Sequence, residues 1–309
     1  DEENLYRIYR FEEPLAPGAT GEFTFTTRRW QQGLRAQGDD TRLVRNGTFL
    51  NNSEFMPQIG MDRSGLLQDR ATRRKYGLPS ELRQAKLEDE SARNRNYVGN
   101  APWVTSDITV STVAGQTPIA PGDRVADDVE GDRRVARFVA EQPILGFFSI
   151  QSADYEVARR EHDGTTLEIY HHPTHDFNVE RMLDAMEASL DYYEANFGPY
   201  QFDYARIIEF PGYASFAQAF AGTIPFSERI GFIADNGDAE AIDYVTYVTA
   251  HELGHQYWAH QLISADQQGG TMLVETMAQY SALMVMKDLY GEDNIRRFLK
   301  YELDNYLSA

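Results

Sequence analysis

The chain reads DYVTYVTAHELGHQYWAHQL from Asp243 to Leu262. Within this stretch His251 and His255 are four residues apart, and Glu252 directly follows the first histidine. The stretch has no proline and one glycine, and its apolar residues recur at three- to five-residue steps, which predicts a mostly buried helix. Positions i and i+4 of a helix lie on one face, so both imidazoles would point the same way. This HExxH pattern is typical of zinc hydrolases, in which the intervening glutamate acts as a base.

A catalytic zinc needs a third protein ligand and one open position. His260 lies five residues after His255, about 140° away from the ligand face of a continued helix, so we interpret it as a structural or surface histidine. The apolar run from Met272 to Tyr280 contains one carboxylate, that of Glu275, and nineteen residues separate it from His255. A buried, unpaired carboxylate is unfavourable, and a metal would account for it. The sequence therefore predicts Glu275 as the third ligand. The alternative is that His251, His255 and Glu275 are core residues whose polar groups are satisfied by hydrogen bonds.

The composition limits the functional classes. The chain has 309 residues, a net charge of −19, 42% hydrophobic residues and 12% aromatic residues, which is enough for two domains with sizeable cores. Because the negative charge repels nucleic acid, we expect no nucleic-acid partner. The absence of cysteine excludes disulfides, cysteine zinc ligands and thiol catalysis. No apolar run reaches the roughly 18 residues of a membrane span.

The pattern of elements predicts an α+β protein with two domains, residues 1–163 and 164–309. Alternating apolar residues make the first domain β-rich. Its predicted strands cover 5–11, 22–26, 104–113, 134–138 and 144–150, and its predicted helix covers 63–76. The second domain has longer helices, because apolar residues there recur at helical spacing. Its predicted elements are strands at 166–170, 205–210 and 222–226, a helix at 177–197, the HExxH helix, a helix carrying Glu275 and a last helix from 293.

Three further histidines, His171, His172 and His175, form a cluster early in the second domain. Pro173 lies inside the cluster and breaks any helical i, i+4 relation between them. No carboxylate lies at a ligand-like spacing in the sequence nearby. We therefore interpret these histidines as loop residues that do not bind a metal.

Several segments resemble the zinc aminopeptidase family typified by aminopeptidase N, a branch of the gluzincins. The segment Ser189–Pro211 (SLDYYEANFGPYQFDYARIIEFP) resembles the family's helix, its Phe-Gly-Pro-Tyr turn and the following strand. AHELGHQYWAHQL resembles the family's zinc helix, and Glu275-Thr-Met-Ala-Gln-Tyr280 resembles its Glu-Gly-Phe-Ala-x-Tyr. More closely, the chain resembles the peptidase-like domain that some bacteria attach to multi-spanning transporter permeases.

The resemblance implies a β-rich, saddle-like amino-terminal domain and a thermolysin-like zinc-peptidase domain that is truncated at its carboxyl end. It implies a metallopeptidase with one Zn²⁺ per chain, held by His251, His255 and Glu275, with Glu252 as general base and a peptide as substrate. The parent protein would carry membrane spans, with none in this chain, and this domain would be extracytoplasmic. Because the chain starts at Asp1 without a methionine, we interpret it as a soluble piece of a longer protein.

The sequence departs from the family pattern in ways that bear on activity. Its spacer of nineteen residues is one longer than the family's eighteen, and we expect the loop 265–270 to absorb the extra residue. Ala219 aligns with the glutamate that binds the substrate's free amine, and Ala282 with an acid that supports a zinc ligand. The family's transition-state tyrosine would lie beyond Ala309. We therefore expect either poor aminopeptidase activity or a preference for longer peptides that bind near Gly222. The alternative function is a peptide-binding module that is attached to a transporter and is catalytically weak or inactive.

Overall fold

The computed structural model describes residues 7–30, 42–60, 66–99, 101–238 and 241–308. The chain divides into two compact units, Asp1–Trp30 and Gln31–Ala309. In the first unit, residues 7–30 form neither strand nor helix, so the strands predicted at 5–11 and 22–26 are wrong over their described residues. Side chains such as Ile8 and Tyr9 are largely exposed. Alternation alone makes no strand, because the backbone hydrogen bonds of a strand need a neighbouring strand.

The second unit contains both helices and β-sheets, which confirms the α+β class. Two three-stranded sheets come from the first half of the chain, with strand orders β1-β6-β3 and β2-β5-β4. Their strands are β1 (Thr48–Asn51), β2 (Trp103–Val113), β3 (Thr117–Ile119), β4 (Asp123–Glu130), β5 (Arg133–Leu145) and β6 (Ser149–Ala153).

Two predicted elements of this half differ from the structure. The strand predicted at 144–150 is instead the end of β5 and the start of β6, separated where the Gly146 N–H donates to the Pro102 carbonyl at 2.7 Å. Over its described residues, 66–76, the helix predicted at 63–76 is shorter, because α1 spans Arg70–Lys75; positions 63–65 lie outside the described residues. Asp69 fixes its start by accepting a hydrogen bond from the Thr72 N–H at 2.7 Å.

The third sheet has the order β10-β9-β8-β7 and positions the candidate site. Its strands are β7 (Glu156–His162), β8 (Thr165–His171), β9 (Tyr204–Phe210) and β10 (Thr223–Ser227). Strands β8, β9 and β10 are parallel, whereas β7 pairs antiparallel with β8. Asp163 and Gly164 join them with φ values of 45° and 90°, as a tight two-residue hairpin turn requires. The predicted domain boundary falls in this turn, and the division at residue 163 stays a prediction.

Helices cover one face of the third sheet. They are α2 (Val179–Phe197), α3 (Tyr244–Tyr257), α4 (Met277–Tyr290) and α5 (Glu292–Ser308). Ile169, Ile207 and Phe226 are fully buried against these helices, and burying each such side chain stabilises the fold by about 1.5 to 3 kcal/mol. On the opposite face, Tyr170 and Ile208 pack against Ile119 of β3. The sheet is therefore buried on both faces.

The structure also bears on membrane insertion. None of the helices within the described residues combines the length and the apolar character needed to cross a bilayer.

Candidate metal centre

Helix α3 carries the HExxH sequence. Asp243 caps its start by accepting a hydrogen bond from the Thr246 N–H at 3.1 Å. Val245, Ala250 and Leu253 of this helix are fully buried in the core. The helix ends at Tyr257, earlier than the sequence pattern indicates, so His260 lies in the turn that follows. Packing on the inner face thus fixes where the histidines of the opposite face project.

The structure brings the three predicted metal ligands together. The Nε2 atoms of His251 and His255 lie 3.0 Å apart. Oε2 of Glu275 lies 3.3 Å from Nε2 of His255 and 3.9 Å from Nε2 of His251. The two imidazole side chains are 19% and 8% exposed, so the donor atoms face one another at the edge of the core.

These separations fit a zinc ion. Tetrahedral zinc with bonds of about 2.0 to 2.2 Å places neighbouring ligand atoms about 3.3 Å apart, and the observed distances span this value. Hydrogen bonding alone explains the cluster less well. Nε2 of His255 carries at most one hydrogen, which cannot serve both His251 Nε2 and Glu275 Oε2. Two nitrogens and one carboxylate oxygen are a donor set typical of catalytic zinc.

Glu275 lies in a π-helical turn, Met272–Thr276, that leads directly into α4. A π turn holds more residues per turn than an α-helix and is common at functional sites. The spacer of nineteen residues therefore has a second place, besides the loop 265–270, where one additional residue is accommodated. This turn could not be predicted from the sequence, because the run from Met272 to Tyr280 has no proline or glycine to mark it.

Close contact between α3 and α4 holds Glu275 beside the histidines. A Cβ atom added to Gly254 would lie 3.2 Å from the Ala278 carbonyl oxygen and 3.3 Å from its Cα. Nearby, the Trp258 indole N–H donates to the Ser281 hydroxyl at 2.9 Å. A side chain at position 254 would require α4 to shift by a few tenths of an ångström, so Gly254 favours the close approach of the two histidines of α3 to Glu275.

Glu252 is buried beside the three predicted ligands, with 6% of its surface exposed. Its Oε2 has no hydrogen-bond partner among the described residues. Burial raises the pKa of Glu252 to about 7. Burial, together with the charge of His255, lowers the pKa of His251 to about 4. Burial also opposes a charge on His255, yet its hydrogen bond to Glu275 raises its pKa above the ordinary value.

A cavity of about 340 Å³ opens beside Glu252 and His251. One wall is the chain around Ala217, which pairs antiparallel with Phe226 of β10. The Ser227 N–H donates to the Phe216 carbonyl and the Gln218 N–H to the Pro225 carbonyl, so both neighbours of Ala217 bond towards β10. In such a pairing the N–H and C=O of Ala217 point away from β10. The segment therefore offers a strand edge at the cavity.

The structure places the remaining predicted residues away from the ligand set. His260 is buried, and its Nε2 donates to the Ala219 carbonyl at 3.1 Å; burial lowers the pKa of His260 to about 4. It is a structural histidine. Ala219 and Ala282 are both buried, and because both are alanines neither position supplies a carboxylate.

The histidine cluster contains a grouping that the sequence did not predict. Nδ1 of His175 lies 2.5 Å from Oε1 of Glu209 and 4.0 Å from Oε2 of Glu228. The other oxygen of Glu209 accepts a hydrogen bond from the His172 N–H. The carboxyl ends of the parallel strands β8, β9 and β10 bring these groups together, and linear spacing gave no sign of it. Each Glu209 oxygen has a hydrogen-bond donor, so the group is satisfied without a metal.

The chain was also compared with known protein families. No family model matches it.

Proposed function

We propose that this protein is a zinc-dependent metallopeptidase in which His251, His255 and Glu275 hold one Zn²⁺. The observation that carries the proposal is the convergence of three donor atoms, 3.0 to 3.9 Å apart, beside the buried carboxylate of Glu252. Few functions need a nitrogen–oxygen metal site beside an acid that has one oxygen without a hydrogen-bond partner and lines a cavity. Hydrolysis is the reaction that uses both.

Bound zinc would polarise the carbonyl group and lower the pKa of water at the site. Glu252 supplies the proton transfers. Its free Oε2 accepts a proton as the water oxygen attacks the peptide carbonyl carbon. As the carbon–nitrogen bond breaks, Glu252 returns this proton to the departing amine nitrogen. Hydrolysis therefore yields a carboxylic acid and an amine, and Glu252 ends in its starting state.

The free edge at Ala217 favours a peptide substrate. An extended peptide would add to this edge as a strand, with main-chain hydrogen bonds to the N–H and C=O of Ala217. The cavity beyond the edge is lined by His251 and Glu252, so a peptide bound in this way would run past the acid. Binding through main-chain groups does not require a free amino terminus, which agrees with the alanine at position 219.

The sequence segments that resemble the aminopeptidase N family support a proposal about the domain architecture. We infer that the β-rich first half is the saddle-like domain of the aminopeptidase N family and that the helices around α3 form the start of a thermolysin-like domain. We also infer that the domain belongs to a membrane-spanning parent and is extracytoplasmic. The segments that carry this inference are Ser189–Pro211, the HExxH helix and Glu275–Tyr280.

Glu252→Gln tests the proposal, because it removes the base and leaves the metal ligands intact. The variant should retain zinc, while peptide hydrolysis falls by about 10²- to 10⁴-fold. Asp191→Asn, which neutralises an exposed carboxylate, is the matched control and should cleave peptide at the normal rate. Cleavage by Glu252→Gln at the normal rate would refute the role of Glu252.

A second function is a peptide-binding module that holds zinc without hydrolysis. The alanines at positions 219 and 282 favour it, because the family has acids at both places. This function predicts that the unaltered, zinc-loaded chain binds peptides and releases no product. It also predicts equal peptide affinity for the unaltered chain and Glu252→Gln.

A further inference from the structure

Glu302 of α5 lies at the wall of the cavity beside the candidate metal centre. One of its oxygens, Oε1, accepts hydrogen bonds from the Tyr247 hydroxyl at 2.9 Å and from the Gln279 side-chain amide at 2.7 Å. No lysine, arginine or histidine among the described residues forms an ion pair with it. The lining of the cavity contains no lysine or arginine either. The cavity thus holds a carboxylate whose hydrogen-bond partners are neutral.

The position of Glu302 relative to the ligands follows from helix geometry. Tyr247 precedes His251 by one turn of α3, and Gln279 follows Glu275 by about one turn. Four residues of helix rise about 6 Å. Glu302 bonds the side chains of both, so along the axes of α3 and α4 the residues that hold it lie about 6 Å from His251 and Glu275. A residue of extended peptide spans about 3.3 to 3.6 Å, so this distance corresponds to one or two residues from the bond to be cleaved.

Aromatic rings accompany the carboxylate. Tyr301 lies 5.9 Å from Tyr244 and 6.4 Å from Tyr247, measured between ring centroids, and all three rings line the cavity. The face of a tyrosine ring attracts an ammonium or guanidinium group. A carboxylate surrounded by such rings, without an internal counter-cation, is suited to an organic cation.

We propose that this cavity is a specificity pocket for an organic cation of the substrate, with Glu302 as the anionic anchor. The cation is either the free amino terminus of the peptide or the side chain of a lysine or arginine close to the cleaved bond. The inference rests on the proposed function, because it assigns the cavity to a peptide bound at the metal centre. Glu302 then supplies the substrate site with a carboxylate, whereas Ala219, which aligns with the family's amine-binding glutamate, supplies none.

Glu302→Gln separates this role from helix packing. The amide oxygen of glutamine still accepts the hydrogen bonds from Tyr247 and Gln279, so the contacts between α3, α4 and α5 are kept while the charge is lost. Asp304→Asn is the matched control. Asp304 is on the same helix, largely exposed, and pairs with Lys300 outside the cavity.

The test measures peptide affinity by calorimetry in the full zinc-loaded chain with Glu252→Gln, so that bound peptide stays uncleaved. Each cationic peptide is compared with a neutral counterpart. In the first arm, a peptide with a free amino terminus is compared with the same peptide acetylated at that terminus. In the second arm, all peptides are acetylated, and lysine is compared with norleucine at each internal position in turn. The cationic member of at least one arm should bind more tightly. Glu302→Gln should reduce that ratio of affinities about 10- to 100-fold, which is the worth of a charge-assisted hydrogen bond. Asp304→Asn should leave the ratio unchanged.

Equal affinity for the charged and neutral members in both arms would overturn the proposal, as would a ratio unchanged by Glu302→Gln. Failure to bind either member would overturn it too. The arm that responds identifies the cation as an amino terminus or a side chain. Failure of the proposed peptidase is seen separately, as absence of cleavage by the unaltered zinc-loaded chain, while the affinity ratio still reports on the pocket.

Discussion

Nε2 of His251 lies 3.0 Å from Nε2 of His255, and the two rings are nearly perpendicular at 87°. One turn of α3 fixes this pair, whereas the third donor, Glu275, comes from a separate segment before α4. The centre therefore depends on how closely α3 and α4 pack. Changes to that packing should alter metal binding without touching a ligand.

Gly254→Val tests this dependence. The added side chain would enter a contact where even a Cβ lies 3.2 Å from the Ala278 carbonyl oxygen, so it should push α3 away from α4. The free energy of unfolding should fall by about 1 to 3 kcal/mol, as for other overpacked sites. Zinc affinity, measured by competition with a chelator, should fall as well. Gly115→Val is the control, because a Cβ there meets no heavy atom within 4 Å. Unaltered zinc affinity in Gly254→Val would contradict the packing argument.

Gln256 connects α3 to the turn between the Ala217 segment and β10. Its side-chain oxygen accepts from the Gly222 N–H at 2.9 Å, and its amide donates to the Phe220 carbonyl at 3.0 Å. Gln256→Ala would leave the buried Gly222 N–H unpaired, whereas the Phe220 carbonyl keeps its hydrogen bond from the Thr223 N–H. The free energy of unfolding should therefore fall by about 1 to 3 kcal/mol. Peptide affinity should weaken while zinc content is kept. Denaturant unfolding would check this against Gln261→Ala, an exposed glutamine, and equal stability of the two variants would count against the prediction.

Glu168 predicts a pH dependence away from the metal centre. Burial opposes its charge, but the hydrogen bond from Arg159 and the charge of buried Arg206 outweigh this and lower its pKa. A lowered folded-state pKa stabilises the fold above the unfolded value of 4.5 and loses this effect as the pH falls through the folded value. Glu168→Gln should therefore reduce the free energy of unfolding by about 3 kcal/mol at pH 7.

The difference between Glu168→Gln and the unaltered chain should shrink as the pH falls below 4.5. Urea unfolding at several pH values measures it, with Asp107→Asn as the control for an exposed ion pair that should matter less. A difference that stays constant or widens towards acid would show that the charge of Glu168 is not responsible.

The sequence predicted the elements whose signal is local. Apolar spacing placed α2 within two residues of its start, and the HExxH spacing predicted that His251 and His255 share one face of α3. Glu275 was singled out because one acid interrupts an apolar run, but the expected burial is wrong: its side chain is 46% exposed, and Met272 and Leu273 of the run are exposed as well. These inferences need only the periodicity of one segment.

What the sequence did not predict depends on contacts between distant segments. The pairing of the chain around Ala217 with β10, and the meeting of His175 with Glu209, follow from sheet order rather than from spacing. The strand predicted at 22–26 failed because alternation does not reveal whether a partner strand exists. Glu302 was overlooked because its role depends on α5 folding back beside α3.

The zinc content of the purified chain tests the central claim most directly. After dialysis against metal-free buffer, the unaltered chain should retain about one zinc per chain by elemental analysis. His255→Ala should lose most of it, because one of three predicted ligands is gone, whereas His172→Ala, which removes an imidazole that forms an exposed hydrogen bond with Thr174, should retain it. An unaltered chain that retains no zinc, or a His255→Ala variant that retains all of it, would contradict the account.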